Sequence, residues 1–170
     1  MKNLLILGNG QYGAVVKDMA LESGDFGSIA FLDDCIELGT ADTVGKLSDY
    51  EKFKENYQYA VVAIGNPTVR KRWSEKLIDA GYEIPCMISK YAFVSNVASL
   101  GTGIVVEPNA TVLANAKIGD GTIVCSGAVI NHNATVGEYC QIDCNATVMG
   151  GAEISNIAKV EAGKTVYCKQ

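Results

Sequence analysis

The sequence predicts an α/β domain resembling half of a Rossmann-like fold over residues 1–86, followed by a parallel β-helix over residues 87–170. Three observations carry this. The first half alternates short apolar runs, glycine-rich turns and helically spaced apolar residues, the pattern of a parallel sheet with crossover helices. The second half loses the helical period and repeats every six residues. The chain, 170 residues with 48% hydrophobic side chains, is long enough for two small domains with cores of their own.

In order, LLIL (4–7) is a short buried strand, GNGQYG a turn, and AVVKDMALESG a helix that Gly24 ends. SIAFL (28–32) is a second strand running into Asp33 and Asp34. SDYEKFKEN reads as a helical segment capped by Ser48 with a charged face, and YAVVAIG (59–65) as the third strand. Asn66-Pro67 then opens the helix TVRKRWSEKLIDAG, with asparagine as cap and proline at the first helical position. Gly8, Gly10 and Gly13 form G-x-G-x-x-G between strand and helix, with Asp33 and Asp34 about twenty residues on. Such a helix start suits a pyrophosphate, and the acidic pair suits a ribose or base, although the same glycines also serve a turn that merely packs helix on strand. About 86 residues hold half of a dinucleotide fold, which suits a single nucleotide, and the remaining solenoid is no substrate domain for a nicotinamide enzyme.

From Ile88 to Val166, fourteen consecutive positions six apart are aliphatic. Four places after each, the residue is usually small, as at Ala110, Ala128 and Ala146. Short flat strands with the large side chain in a narrow core explain this, three sides making a coil of eighteen residues. The N-A-T triplets at Asn109, Asn133 and Asn145 fall at one place of their hexads and read as turn chemistry, asparagine tolerating a left-handed backbone.

The only histidine, His132, is the third residue of its hexad, and positions eighteen apart stack on one edge. Its column is Asn96, Ala114, His132, Gly150, Cys168, so a small residue stands on either side of it, and the glycine lets another molecule approach its N–H. An imidazole beside an amide donor is what acyl transfer needs: a base and a site for the oxyanion. A turn position also simply tolerates a polar residue.

The six cysteines show no CxxC pair; Cys125, Cys140 and Cys144 sit at unrelated hexad places and are not expected to converge. A zinc site would want several histidines, so no metal is expected. The net charge of −5 argues against nucleic acid or anionic lipid as partner, and the N-terminus lacks the apolar stretch of a signal peptide or membrane span, so a cytoplasmic location is expected.

Taken together, LLILGNGQYG, FLDD at 31–34, TVGKLSDY, AIGNPTVRKR at 63–72 and SGAVINHNATVGEYCQIDCNATVMGGAEI resemble one family over nearly the full length. It is the bacterial hexapeptide-repeat sugar acyltransferases related to sialic acid O-acetyltransferase and the N-acetyltransferase of bacillosamine synthesis. The resemblance implies a left-handed β-helix, a homotrimer, acetyl-CoA as acyl donor and a UDP-linked amino sugar as acceptor, in surface glycan synthesis. It implies His132 as general base and the Gly150 amide as oxyanion donor. Gly8, Gly10, Gln11 and Gly13 would hold the diphosphate, Asp33 and Asp34 the nucleoside end, and Gln141, Gly150 and Gly151 the acetyl-CoA.

The sequence departs from the family at Asn133, where many members have an acidic residue, and at Tyr12, where the usual loop has histidine. Relatives generally continue for another coil and a proline-containing tail where this sequence ends at NIAKVEAGKTVYCKQ, with Lys164 in a small-residue place. The alternatives are O-acetylation of a sugar hydroxyl, as on sialic acid, and a non-catalytic trimeric nucleotide-sugar-binding protein.

Overall fold

The computed structural model describes residues 2–35, 37, 39, 40 and 42–168; the last two residues of NIAKVEAGKTVYCKQ lie outside them. The chain divides into two compact units, Met1–Pro85 and Cys86–Gln170.

The first unit is a parallel sheet of four strands, β1 (Lys2–Leu7), β2 (Phe26–Leu32), β3 (Thr43–Gly45) and β4 (Tyr59–Val62), in the order β3-β2-β1-β4. Helix α1 (Gln11–Ser23) links β1 to β2, and its last turn closes on Gly24 in the left-handed conformation, φ 70°. Helix α2 (Pro67–Asp79) starts as its sequence predicts: the Asn66 side chain accepts the Val69 N–H at 3.0 Å. Leu5, Leu7, Leu32 and Val62 pack with Trp73 and Leu77 of α2, burying the apolar sheet face.

Two expectations are corrected and one strand is added. The helical segment predicted there is the 3-10 helix Leu47–Phe53, and its N-cap is Lys46, not Ser48; the Asp49 carboxylate reaches back to the Lys46 N–H at 3.0 Å. Strand β3 escaped the sequence reading because three residues are too few to show alternation. The strand predicted over 59–65 is β4 and stops at Val62, where the loop before α2 begins.

The second unit is a solenoid of two-residue strands stacked into three parallel sheets. Partners are eighteen apart, as in Lys117↔Ser99, Ile123↔Val105 and Val129↔Thr111, which fixes the coil length. The inward aliphatics Val106, Val112, Val124, Ile130, Ile142 and Val148 are completely buried and alternate with Ala110, Ala128, Ala134 and Ala146 in one core. The rule fails at the first coil: Ile88 is 41% exposed, having no coil beneath to cover it. Asn109, Asn133 and Asn145 adopt φ of 61°, 57° and 57°, the left-handed turns expected of the N-A-T triplets.

Candidate active site

His132 stands in the turn between the strands Val129–Ile130 and Thr135–Val136. The turn is tied to the coils on both sides: Asn133 N–H donates to Ala114 O at 3.0 Å, and Gly151 N–H to His132 O at 3.1 Å. Asn131 Oδ1 accepts the His132 N–H at 2.7 Å, and Asn133 Nδ2 lies 3.1 Å from ring Nδ1. The backbone under the imidazole is thus immobilised, while its side chain faces solvent.

Gly150 lies against the ring. A Cβ at that position would stand 2.7 Å from Cε1, 3.0 Å from Nε2 and 3.2 Å from Nδ1 of His132. The missing side chain therefore makes room for the imidazole itself, where the sequence reading expected it to admit another molecule. Among the described hydrogen bonds the Gly150 N–H donates to no protein acceptor, whereas that of Gly151 serves the His132 carbonyl.

A cavity of about 640 Å³ opens here, lined by Asn131, His132, Met149, Gly150, Tyr167 and Cys168. These are two adjacent stacking columns, 131–149–167 and 132–150–168, the second being the one read from the period. The first went unremarked, although the same eighteen-residue arithmetic contains it. A second hollow of about 370 Å³ includes Gly151, Glu153 and Ser155 and shares Tyr167 and Cys168 with the first. Tyr167, 71% exposed, lines both. Gln141 is not brought to either hollow; it opens a strand of another sheet, one turn beyond the His132 corner.

The cysteines behave differently from expectation. The donor atoms of Cys125, Asp143 and Cys144 lie within 4.8 Å of one another. Cys125 and Asp143 occupy one column and Cys144 is the next residue, a convergence the hexad count overlooked by treating the residues singly. These groups serve each other and the scaffold: burial and the neighbouring Glu107 push the Cys125 thiol far up, and Lys159 pairs with Asp143 at 3.3 Å. Such a thiol stays protonated and is a poor nucleophile.

In the first unit, the Gly8–Gly13 turn follows β1, whose neighbours β2 and β4 lie on opposite sides of it. Connections therefore diverge at the carboxyl ends of β1 and β4, where open α/β sheets place ligands. Two of the three glycines are required by packing. Gly8 has φ 103° with a Cβ site 2.8 Å from Ala63 O, and a Cβ at Gly13 would stand 2.2 Å from Gly8 O. Gly10 has nothing within 4 Å of its Cβ site, and with exposed Gln11 it forms an α1 start that has no acidic side chain in its first turn.

The acidic pair holds backbone. Asp33 accepts the Asn9 N–H and the Cys35 N–H, each at 2.7 Å, and Asp34 accepts the Leu47 N–H at 3.0 Å. Asn9 Nδ2 adds a bond to Thr43 Oγ1 at 2.8 Å. On the other side, buried Arg70 donates to Ile64 O at 3.0 Å and Gly65 O at 2.9 Å, fastening the loop before α2. Asn9 and Arg70 were missed because nothing local in the sequence sets them apart from solvated polar residues.

Residues 3–77 match the family model of the PglD N-terminal domain. The acetyltransferase domain of PglB from Neisseria gonorrhoeae FA1090 matches over 99% of this chain and 92% of its own, with TM-score 0.88 and 25% identity. The same domain in complex with acetyl coenzyme A matches with TM-score 0.87 and 24% identity over 98% and 91% of the two chains. A perosamine N-acetyltransferase variant from Caulobacter crescentus, in complex with CoA and GDP-perosamine, matches with TM-score 0.86 and 24% identity over 99% and 90%. The solenoid is accordingly a left-handed parallel β-helix. A region matching the PglD N-terminal domain thus leads into such a helix, and over nearly its full length the chain is similar in fold to acetyltransferases of known structure.

Proposed function

We propose that this enzyme transfers the acetyl group of acetyl-CoA to the amine of a UDP-linked amino sugar, with His132 as general base. The observation that carries the reading is the imidazole lying on Gly150 at the mouth of a cavity of about 640 Å³. It joins a base and a backbone donor within a few ångströms, on a turn that repetition alone does not explain.

The sugar amine attacks the thioester carbonyl carbon, His132 takes the proton that the nitrogen sheds, and the Gly150 N–H receives the oxyanion. Collapse forms the amide C–N bond and breaks the C–S bond, so CoA leaves as thiolate and is then protonated. Tyr167 and the second hollow offer a path for the pantetheine arm beyond the thioester. Support for the donor comes from the PglB domain in complex with acetyl coenzyme A. Support for a nucleotide-linked amine as acceptor comes from the perosamine enzyme's complex with GDP-perosamine.

In the first unit, Gly10, Gln11 and the open start of α1 are proposed to bind the diphosphate. Gly8 and Gly13 shape that turn, and Asp33 and Asp34 hold the surrounding loops in place for the nucleoside end. A homotrimer working in the cytoplasm on surface glycan precursors completes the proposal. No helix among the described residues is long and apolar enough to cross a membrane.

The test is CoA release with acetyl-CoA and a panel of UDP- and GDP-linked amino sugars, beside a thermal-shift series with each ligand. Transfer to a UDP-linked amine is expected, and His132→Ala should reduce it by about 10²–10⁴-fold while nucleotide-sugar binding persists. Wild-type turnover in that variant would refute the base assignment. A protein stabilised by no CoA ester would refute the donor, and a preference for GDP-linked sugars would correct the nucleotide.

A further inference from the structure

One polar neighbour decides what the His132 ring can do. Asn133 Nδ2 lies 3.1 Å from His132 Nδ1. An amide nitrogen only donates, so this orientation of the amide matches the neutral ring that accepts at Nδ1 and carries its proton on Nε2. Amide oxygen and nitrogen are nearly the same size, and a half-turn about the terminal side-chain torsion presents Oδ1 instead. The oxygen would accept a proton on Nδ1 and leave Nε2 with a free lone pair.

The backbone at this position is held independently of the amide, with φ 57° and its N–H on Ala114 O at 3.0 Å. Asn109 and Asn145 make the equivalent turns, yet only Asn133 follows a histidine, so turn geometry does not account for the bond to the ring. Besides the imidazole, the described residues lining the cavity are Asn131, Met149, Gly150, Tyr167 and Cys168. Tyr167 and Cys168 are the titratable ones, and none is a carboxylate or an ammonium.

We infer that Asn133 is a positioning residue that sets the tautomer of His132. In the resting protein its Nδ2–H keeps the ring proton on Nε2, and a half-turn of the amide arms Nε2 as the base. The inference rests on the general-base reading above. During the half-turn one proton leaves Nε2 to solvent and another arrives at Nδ1, which the exposed ring permits. Charge is unchanged and one hydrogen bond replaces another, so substrate contacts can move the balance between the two states. A carboxylate has a single option: it accepts Nδ1–H, holds Nε2 free and favours the imidazolium.

Because His132 is the only histidine, an isotope-labelled sample gives one set of imidazole nitrogen resonances, which report the tautomer and its titration directly. In the free wild-type protein the neutral ring is expected as Nε2–H. In Asn133→Asp it is expected as Nδ1–H, because a carboxylate can only accept from the ring. Asn133→Gly keeps the left-handed backbone while deleting the amide, and should lower kcat about tenfold with little change in KM. A free protein already in the Nδ1–H form, or an Asn133→Asp ring that stays Nε2–H, overturns the inference. Wild-type turnover in His132→Ala would instead refute the base reading, and the spectra of the free proteins would still decide what Asn133 does.

Discussion

In the β-helix a residue's surroundings recur every eighteen positions, whereas in the α/β unit each loop residue has partners of its own. The core of the solenoid needs one aliphatic and one small residue per hexad, so its turns are largely free of packing duty. A residue that breaks the pattern there, as His132 does, stands out as a candidate for function. The Gly8–Gly13 turn has no such redundancy: Gly8, Gly13, Asp33, Asn9 and Arg70 all shape the loops around the sheet's carboxyl edge. The proposed binding role and scaffolding overlap in the first unit and separate in the second.

Substitutions can break or sharpen this contrast, and the largest effect is expected in the repetitive core. Ile142, completely buried, should cost about 2–5 kcal/mol on replacement by alanine, because neighbouring coils cannot collapse into the cavity. Ile88→Ala, at the same hexad place but 41% exposed, should cost under about 1 kcal/mol. Denaturant unfolding of the two variants checks this, and equal losses would mean that the first coil is covered in solution.

Next in size is Gly150→Ala. Its methyl group would stand 2.7 Å from the His132 ring, so the imidazole must swing away, and kcat should fall by about 10²-fold with nucleotide-sugar affinity unchanged. Steady-state kinetics beside a ligand titration separates the two quantities.

The smallest effects test the overlap in the first unit. Gly13→Ala drives a methyl group to 2.2 Å from Gly8 O and should lose about 1–3 kcal/mol of stability together with nucleotide-sugar binding. Gly10→Ala meets nothing within 4 Å, and should weaken binding while leaving stability within about 0.5 kcal/mol. Thermal unfolding with and without the nucleotide sugar distinguishes them. Equal behaviour of the two variants would dissolve the division into a shaping glycine and a ligand-facing one.

How far the sequence could be read follows the same division. Hexad spacing placed the aliphatic core and the left-handed asparagine turns, and the 132–150–168 column lines the cavity as stacking predicts. The reading faltered where residues act across columns, as when Cys125 meets Cys144, or where a coil has no neighbour, as at Ile88. In the α/β unit the Asn66 cap and the Gly24 stop were legible because each is a local motif. β3 and the grip of Arg70 on Ile64 and Gly65 depend on partners distant in sequence or on geometry that no period records.

By itself the sequence determined the order of the two units, the eighteen-residue coil and the place of His132 in its column, because spacing is a property of the backbone and a solenoid turns it directly into position. Only the tertiary structure decided that the imidazole fills the space of Gly150's missing side chain, that Asn133's amide meets Nδ1, and that Asp33 is spent on the Asn9 N–H. Those outcomes depend on side-chain rotamers. A rotamer answers to whatever stands across the turn or one coil away, and the order of residues along the chain does not state it.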